Sequence, residues 1–239
     1  GQTAWDTTAV RHNGDIESFR LEGGLYGTLR RGYWQAKAYY YDSEKGIPGA
    51  IVNNVWKNSQ RQWDRNFFVQ GRFQKYLSER YAIQVNAKYA RDYMRYLNPD
   101  TTLMYVNNRF DQDEIYVSVA QKLSVARWCD LSLSADWQWN RLDASLVNFS
   151  YPTRHTALVA AAAAVTFGRF KAQGSLLATF VNDRSEIKGT AVSETTRRRN
   201  FDKLTPALFA SWSPVGDDRL TLRGFYKRIF RMPTFNDLY

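Results

Sequence analysis

The sequence predicts an all-β protein, an antiparallel transmembrane β-barrel that crosses its membrane with strands. Three observations carry this. About ten stretches alternate apolar and polar residues with a period of two, which places the two kinds of side chain on opposite faces of a strand. The gaps between them alternate short and long, as in barrels whose tight turns face the periplasm and whose long loops face outside. Most stretches run about 11–16 residues, beyond the roughly 9–11 that cross a bilayer at a tilt and the about 5–6 of a mean soluble strand.

Residues 1–16 are polar and read as loop. Phe19, Leu21, Gly23, Leu25, Gly27 and Leu29 form one face of the first strand, against Arg20, Glu22, Tyr26, Thr28 and Arg30. Arg31-Gly32 is a compact hairpin turn, after which Trp34, Ala36, Ala38 and Tyr40 alternate with Tyr33, Gln35, Lys37 and Tyr39. Asp42 to about Arg61 holds Gly46, Pro48, Gly49 and several Asn, and reads as a long loop. In the second hairpin Phe67, Val69, Gly71 and Phe73 oppose Asn66, Gln70, Arg72 and Gln74, and a turn near Ser78-Glu79 leads to Tyr81, Ile83, Val85, Ala87 and Tyr89. A loop from roughly Tyr96 to Asp111 precedes the third. There Ile115, Val117, Val119, Leu123 and Val125 reach a turn near Arg127 to Asp130, and Leu131, Leu133, Ala135, Trp137 and Trp139 return. Strands seven and eight bracket Gly168-Arg169, with Phe170, Ala172, Gly174, Leu176, Ala178 and Phe180 outward. Strands nine and ten bracket the Ser213 to Asp218 turn, with Leu204, Pro206, Leu208, Ala210, Trp212, Leu220, Leu222, Gly224 and Tyr226 apolar.

Composition agrees with strands rather than helices in a membrane. The mean hydropathy is -0.53. The most apolar window, Ala157 to Val165, falls short of the roughly 18 residues of a spanning helix. Aromatics are 15% of the chain, with 8 Trp and 15 Tyr, which suits the girdles at two membrane interfaces. The net charge of +10 is compatible with nucleic acid, lipopolysaccharide phosphates or an anionic ligand. Because most basic residues are spread along the strands rather than gathered in one patch, no nucleic-acid partner is assigned. The single Cys129 excludes an internal disulfide framework.

Several constellations have a bland reading beside a functional one. Arg197-Arg198-Arg199, placed in a loop from Asp183 to Asn200, can grip a phosphate or carboxylate through forked donors, or form a solvated or lipopolysaccharide-contacting loop. Asp111, Asp113 and Glu114, at a loop–strand junction, are oxygen ligands of the kind Ca²⁺ takes, but lack the glycine and spacing of a dedicated loop. Trp56 and Trp63 can stack on a ligand ring or anchor the outer interface. Asn148-Phe149-Ser150 matches a glycosylation sequon, a match common by chance and without meaning if the source is bacterial. No phosphate loop, Cys/His metal spacing or nucleophile motif is present, so no metal, cofactor or catalytic residue is assigned.

The end of the chain adds a family. Phe230-Arg231-Met232-Pro233-Thr234-Phe235-Asn236-Asp237-Leu238-Tyr239 resembles the FRxPTxxxLY signature of TonB-dependent outer-membrane receptors. Its matching residues are Phe230, Arg231, Pro233, Thr234, Leu238 and Tyr239, with Asn236 between them. Glu44 to Ala50 and Gln62-Trp63-Asp64-Arg65-Asn66 look like receptors of this family from Bacteroidetes. The resemblance implies a 22-stranded barrel with an N-terminal plug, set in the outer membrane among lipid and lipopolysaccharide. Such a receptor binds a scarce nutrient (siderophore, cobalamin, haem or glycan) and imports it with force from TonB.

Against that pattern, residues 1–239 are expected to supply about ten strands, a partial barrel of five hairpins. The plug, the TonB box and the remaining strands lie elsewhere. Alone, such an arc would leave two open edges whose unpaired groups cost several kcal/mol each in lipid. Two other readings stay open. A complete ten-stranded outer-membrane protease would use an Asp–His pair, and only His12 and His155 are available; His155, near a loop-to-strand boundary, has no acidic cluster beside it in sequence. A general porin would share most of the strand pattern.

Overall fold

The computed structural model describes residues 12–48, 59–102, 104–146, 149–187, 195–215 and 220–230. Ten strands form one antiparallel sheet in chain order. They are β1 Ile16–Leu29, β2 Gly32–Ile47, β3 Gln60–Tyr76, β4 Tyr81–Asn98, β5 Val106–Ala126, β6 Cys129–Ala144, β7 Ser150–Phe167, β8 Phe170–Ile187, β9 Thr195–Trp212 and β10 Leu222–Lys227. Among the described residues, β1 pairs only with β2 and β10 only with β9, so each has one open edge.

Register converts the period of two into two continuous faces. Phe73, Val85, Val119, Ala135, Val159, Ala178 and Leu204 stand opposite one another in a row from β3 to β9. One position along each strand, the row reads Arg72, Asn86, Ser118, Asp136, Leu158, Thr179 and Lys203. Burial is inverted relative to a water-soluble protein. Leu21, Leu25, Val69, Leu133, Leu176 and Leu208 are exposed, whereas Ser43, Ser118, Asn140, Arg154, Thr156, Thr179, Asp183 and Ser185 are buried. Every one of those buried polar groups lies on the second face, as a sheet curved toward its polar side requires. An apolar face this extensive has to meet an apolar medium, because water-exposed patches on monomers rarely exceed a few hundred Å².

Two aromatic belts border the apolar face. Trp34, Phe73, Tyr81, Phe167, Phe170 and Trp212 lie toward the tight turns, and Phe19, Tyr40, Phe67, Tyr89, Trp139 and Phe180 toward the longer connections. On β8 the belts are Phe170 and Phe180, ten residues apart. At roughly 3.3 Å per residue and a tilt of about 45°, they are separated by roughly 23 Å, the height of a barrel's apolar band.

The strands run further than polarity suggested. Asp42–Ile47 and Gln60–Arg61, expected as loop, are paired strand, and the pairing runs on through Arg65. Polar composition there reflects cross-strand ion pairs rather than irregular backbone: Asp42 with Arg65 at 2.6 Å, Lys45 with Asp64 at 3.0 Å and Glu44 with Arg61 at 2.7 Å. By the same reasoning the loop expected from Tyr96 to Asp111 shrinks to residues 99–105. The first turn is Arg30-Arg31 rather than Arg31-Gly32, with Arg31 at φ 63° and Leu29 opposite Gly32. The turn of strands nine and ten falls partly outside the described residues, including Gly216 and Asp218.

The residues before β1, expected as plain loop, hold a clamp. Asn13, at φ 61°, donates from Nδ2 to the Ile47 carbonyl at 3.2 Å and the Gln60 carbonyl at 2.7 Å. It thereby ties β2 to β3 where both leave the apolar band. Gly46 is required beside it, since a Cβ there would sit 2.4 Å from Asn13 Oδ1. The Arg61 guanidinium bonds Asp15 at 2.9 Å and holds its carboxyl below the usual carboxylate range.

Candidate functional site

The polar face carries a row that no short sequence motif marks. Glu22, Tyr39, Phe68, Ala90, Glu114, Asn140, Arg154, Asp183 and Arg199 are successively opposed from β1 to β9. In its first half Tyr39 stacks on Phe68 with centroids 5.0 Å apart and planes at 16°. The ammonium groups of Lys37 and Lys88 each lie 5.9 Å from the Phe68 ring, and the Arg20 guanidinium lies 5.3 Å from that of Tyr39. Carboxylates position these cations: Glu22 meets Lys37 at 2.6 Å and Arg20 at 2.9 Å, and Glu114 meets Lys88 at 3.0 Å while accepting from Gln138 at 3.2 Å.

Toward the tight turns these groups border a concavity of about 660 Å³, lined by Glu22, Gln35, Lys37, Gln70, Arg72, Asn86, Lys88 and Tyr116. Arg72 donates from Nη2 to Gln84 at 2.8 Å, while its buried Nε has no hydrogen-bond partner among the described residues. Three cationic side chains thus converge with amide and phenol donors, a surface suited to carboxylate, phosphate or other oxygen-rich anions.

The second half of the row is held by a buried ion pair. Arg154 Nε and Nη2 meet Asp183 Oδ1 and Oδ2 at 2.6 and 2.7 Å, with only 8% and 1% of the two side chains exposed. This fork-to-fork geometry fixes β7 to β8 on the polar side. Asp183 is also opposed by Arg199, and Ser185 by Arg197.

The structure separates the residues singled out from sequence. Arg197, Arg198 and Arg199 lie within β9 rather than in a loop: Arg197 and Arg199 are on the polar face, and Arg198 is on the apolar side beside Arg184. Trp63 belongs to β3 on the outer face, with the Arg95 guanidinium 4.9 Å above its ring. Asp111, Asp113 and Glu114 are inside β5, with the two aspartates outward and Glu114 inward. Arg91 takes Asp111 and Lys88 takes Glu114, and no described group of three such ligands could hold a metal. His155 is a mid-strand residue of β7 on the outer face, 5.9 Å from Trp137, not a boundary residue. Trp56, Asn148 and Arg231 to Tyr239 fall outside the described residues, and Phe230 follows β10. Lys37, Phe68, Lys88, Arg154 and Asp183 were not singled out from the sequence, and Glu114 only as an oxygen ligand beside Asp111 and Asp113, because only register brings the row together.

An apolar outer surface, two aromatic belts and a polar inner face on consecutively paired antiparallel strands define the wall of a transmembrane β-barrel. The same wall occurs in solved structures. The siderophore receptor PiuA from Acinetobacter baumannii matches with a TM-score of 0.64 and 11% identity, over 86% of this chain and 41% of its own. The ferric citrate transporter FecA in its unliganded form matches with a TM-score of 0.68 and 11% identity, over 89% of this chain and 36% of its own. The chain therefore spans well under half the length of either protein. No family model and no curated protein matches the sequence.

Proposed function

We propose that the chain forms an arc of the barrel wall of a TonB-dependent outer-membrane receptor that binds a scarce nutrient and imports it into the periplasm. The single observation that carries this reading is the inverted burial of the sheet, apolar outside and polar within, on a fold shared with a siderophore receptor and a ferric citrate transporter. Further strands complete the ring at the open edges of β1 and β10, and a plug occupies the lumen. The tight turns face the periplasm, where TonB engages the receptor ahead of the plug, and the longer connections face outside among lipopolysaccharide. Lys37, Arg72 and Lys88, with Arg197 and Arg199 higher on the wall, favour an anionic cargo such as a ferric chelate.

The test is uptake by cells carrying the full-length protein. Saturable import of a radiolabelled ferric chelate is expected, abolished when the proton gradient is collapsed. Lys37→Gln should weaken its binding roughly tenfold, the scale of one lost charge-assisted bond. Steady diffusion of unrelated sugars through liposomes would mark a porin instead. Peptidase activity lost on His155→Ala would mark an enzyme.

A further inference from the structure

Cationic side chains descend the polar face of β2 to β5 in register, from the longer connections toward the tight turns. Lys37 and Lys88 stand in one row, on either side of Gln70. Arg72 occupies the next row down, between Gln35 and Asn86. Lys122 lies two rows lower again, between Ala82 and Ser132. At roughly 3.3 Å per residue, these intervals are about 7 Å and about 13 Å along the strands.

The side chains lean so as to shorten the longer interval. Lys37 and Lys88 point up toward the Phe68 ring in the row above them. Arg72 points down: its Nη2 donates to Gln84 Oε1 at 2.8 Å and to Gln74 Oε1 at 3.4 Å, one row below. Gln74 and Gln84 in turn line a second concavity, of about 380 Å³, together with Lys122, Ser132 and Ser134. Arg72 is therefore a sill. It lines the upper concavity and bonds two residues that line the lower one.

Each lysine has a carboxylate beside it. Glu22 is 2.6 Å from Lys37, Glu114 is 3.0 Å from Lys88, and Asp130 is 3.0 Å from Lys122. The Lys122 side chain is 58% exposed, so its pair with Asp130 is solvated and worth little. An oxygen of a passing anion can replace the protein's own carboxylate there at small cost. Stations of this kind hold an anion without trapping it, as passage along several sites requires.

We propose that the second concavity is a lower anion station. Lys37 with Lys88, then Arg72, then Lys122 pass an oxygen-rich anion down the wall from β2 to β6. The hydroxyls of Ser132 and Ser134 add donors at the lowest level. This inference rests on the anionic-cargo reading given above and names the route that the cargo takes.

The test measures the local potential at the lower station, in full-length protein in lipid nanodiscs. Ser132 directly opposes Lys122, so Ser132→Cys in a Cys129→Ser background places a thiol beside the ammonium. A sulfonate-bearing methanethiosulfonate should modify this thiol faster than its trimethylammonium counterpart. Lys122→Gln should slow the anionic reagent about fivefold, the scale of one unit charge a few ångströms away in water. Asp130→Asn should speed it, and the opposite sign keeps the test open if Lys122→Gln fails to fold. Lys75→Gln, near the same turns but on the outer face, should leave the rates unchanged. In cells, Arg72→Gln and Lys122→Gln should each slow saturated import of the radiolabelled ferric chelate by a similar factor. Equal rates with both reagents, or no modification by either, overturn the lower station. Wild-type import that neither variant slows overturns the descent. An anionic preference as expected, with no import by any form of the protein, would instead overturn the import reading and leave the station standing.

Discussion

Asp183→Ala should destabilise the folded, membrane-inserted protein by about 3–5 kcal/mol, the cost of leaving one member of a buried ion pair without its partner. Asp183 is 1% exposed and receives both forks of Arg154, itself 8% exposed, so neither charge is screened by bulk water. Removing the carboxylate leaves a guanidinium facing Asn140 on one side and, across the vacated position, Arg199 on the other. Asp183→Asn should cost less, since an amide oxygen still accepts one bond. Substituting both Asp183 and Arg154 by apolar residues of similar volume should cost less than either truncation alone. Reversible urea unfolding of the full-length protein in lipid vesicles measures all three. A loss below about 1 kcal/mol for Asp183→Ala would mean that water reaches the pair freely.

A second large effect is expected from adjacent residues on opposite faces. Val85→Arg places a guanidinium on the apolar side of β4, in the row with Phe73 and Val119, and should cost about 2–4 kcal/mol in a bilayer. Asn86→Arg, one residue along, enters a row that already contains Arg72, Ser118 and Asp136, and should change stability by no more than about 1 kcal/mol. The same unfolding measurement compares the two. A side-chain size effect would penalise both; only a two-faced wall separates them.

The faces of the strands were readable in the sequence because a period of two survives any error in where a strand starts. Phe67, Val69, Gly71 and Phe73 could only share a face, whatever the loop boundaries. The ends were not readable, because outside the apolar band the protein replaces apolar pairing with ionic pairing. Asp42 with Arg65 and Lys45 with Asp64 look like loop composition until their partners are known. Local cues also misplaced the first turn by one residue, since Gly32 attracted the turn while Arg31 took the left-handed conformation. Close packing explains the glycine better: a Cβ at Gly32 would lie 2.4 Å from the Gln74 carbonyl oxygen.

The candidate site was legible only in part. The arginine run at 197–199 drew attention through charge, yet alternation sends its members to both faces, so it cannot act as one three-fingered grip. The lumen row depends on pairings between residues as far apart as Glu22 and Tyr39 or Arg154 and Asp183, and each pairing adds a register that composition does not contain. Its aromatic members could as well have been girdle residues, and only parity along the strand puts Tyr39 and Phe68 inside while Tyr40 and Phe67 stay outside.

The two-faced wall is tested most directly by a spin-label scan along β4 in the full-length protein. Cys129→Ser supplies the background, and single cysteines at positions 83 to 88 carry the label in lipid nanodiscs. Collisions with lipid-dissolved oxygen should dominate at Ile83, Val85 and Ala87. Collisions with an aqueous nickel chelate should dominate at Gln84, Asn86 and Lys88, giving an alternation with a period of two. Equal access of the nickel chelate to all six positions would contradict a membrane-facing exterior and a polar lumen.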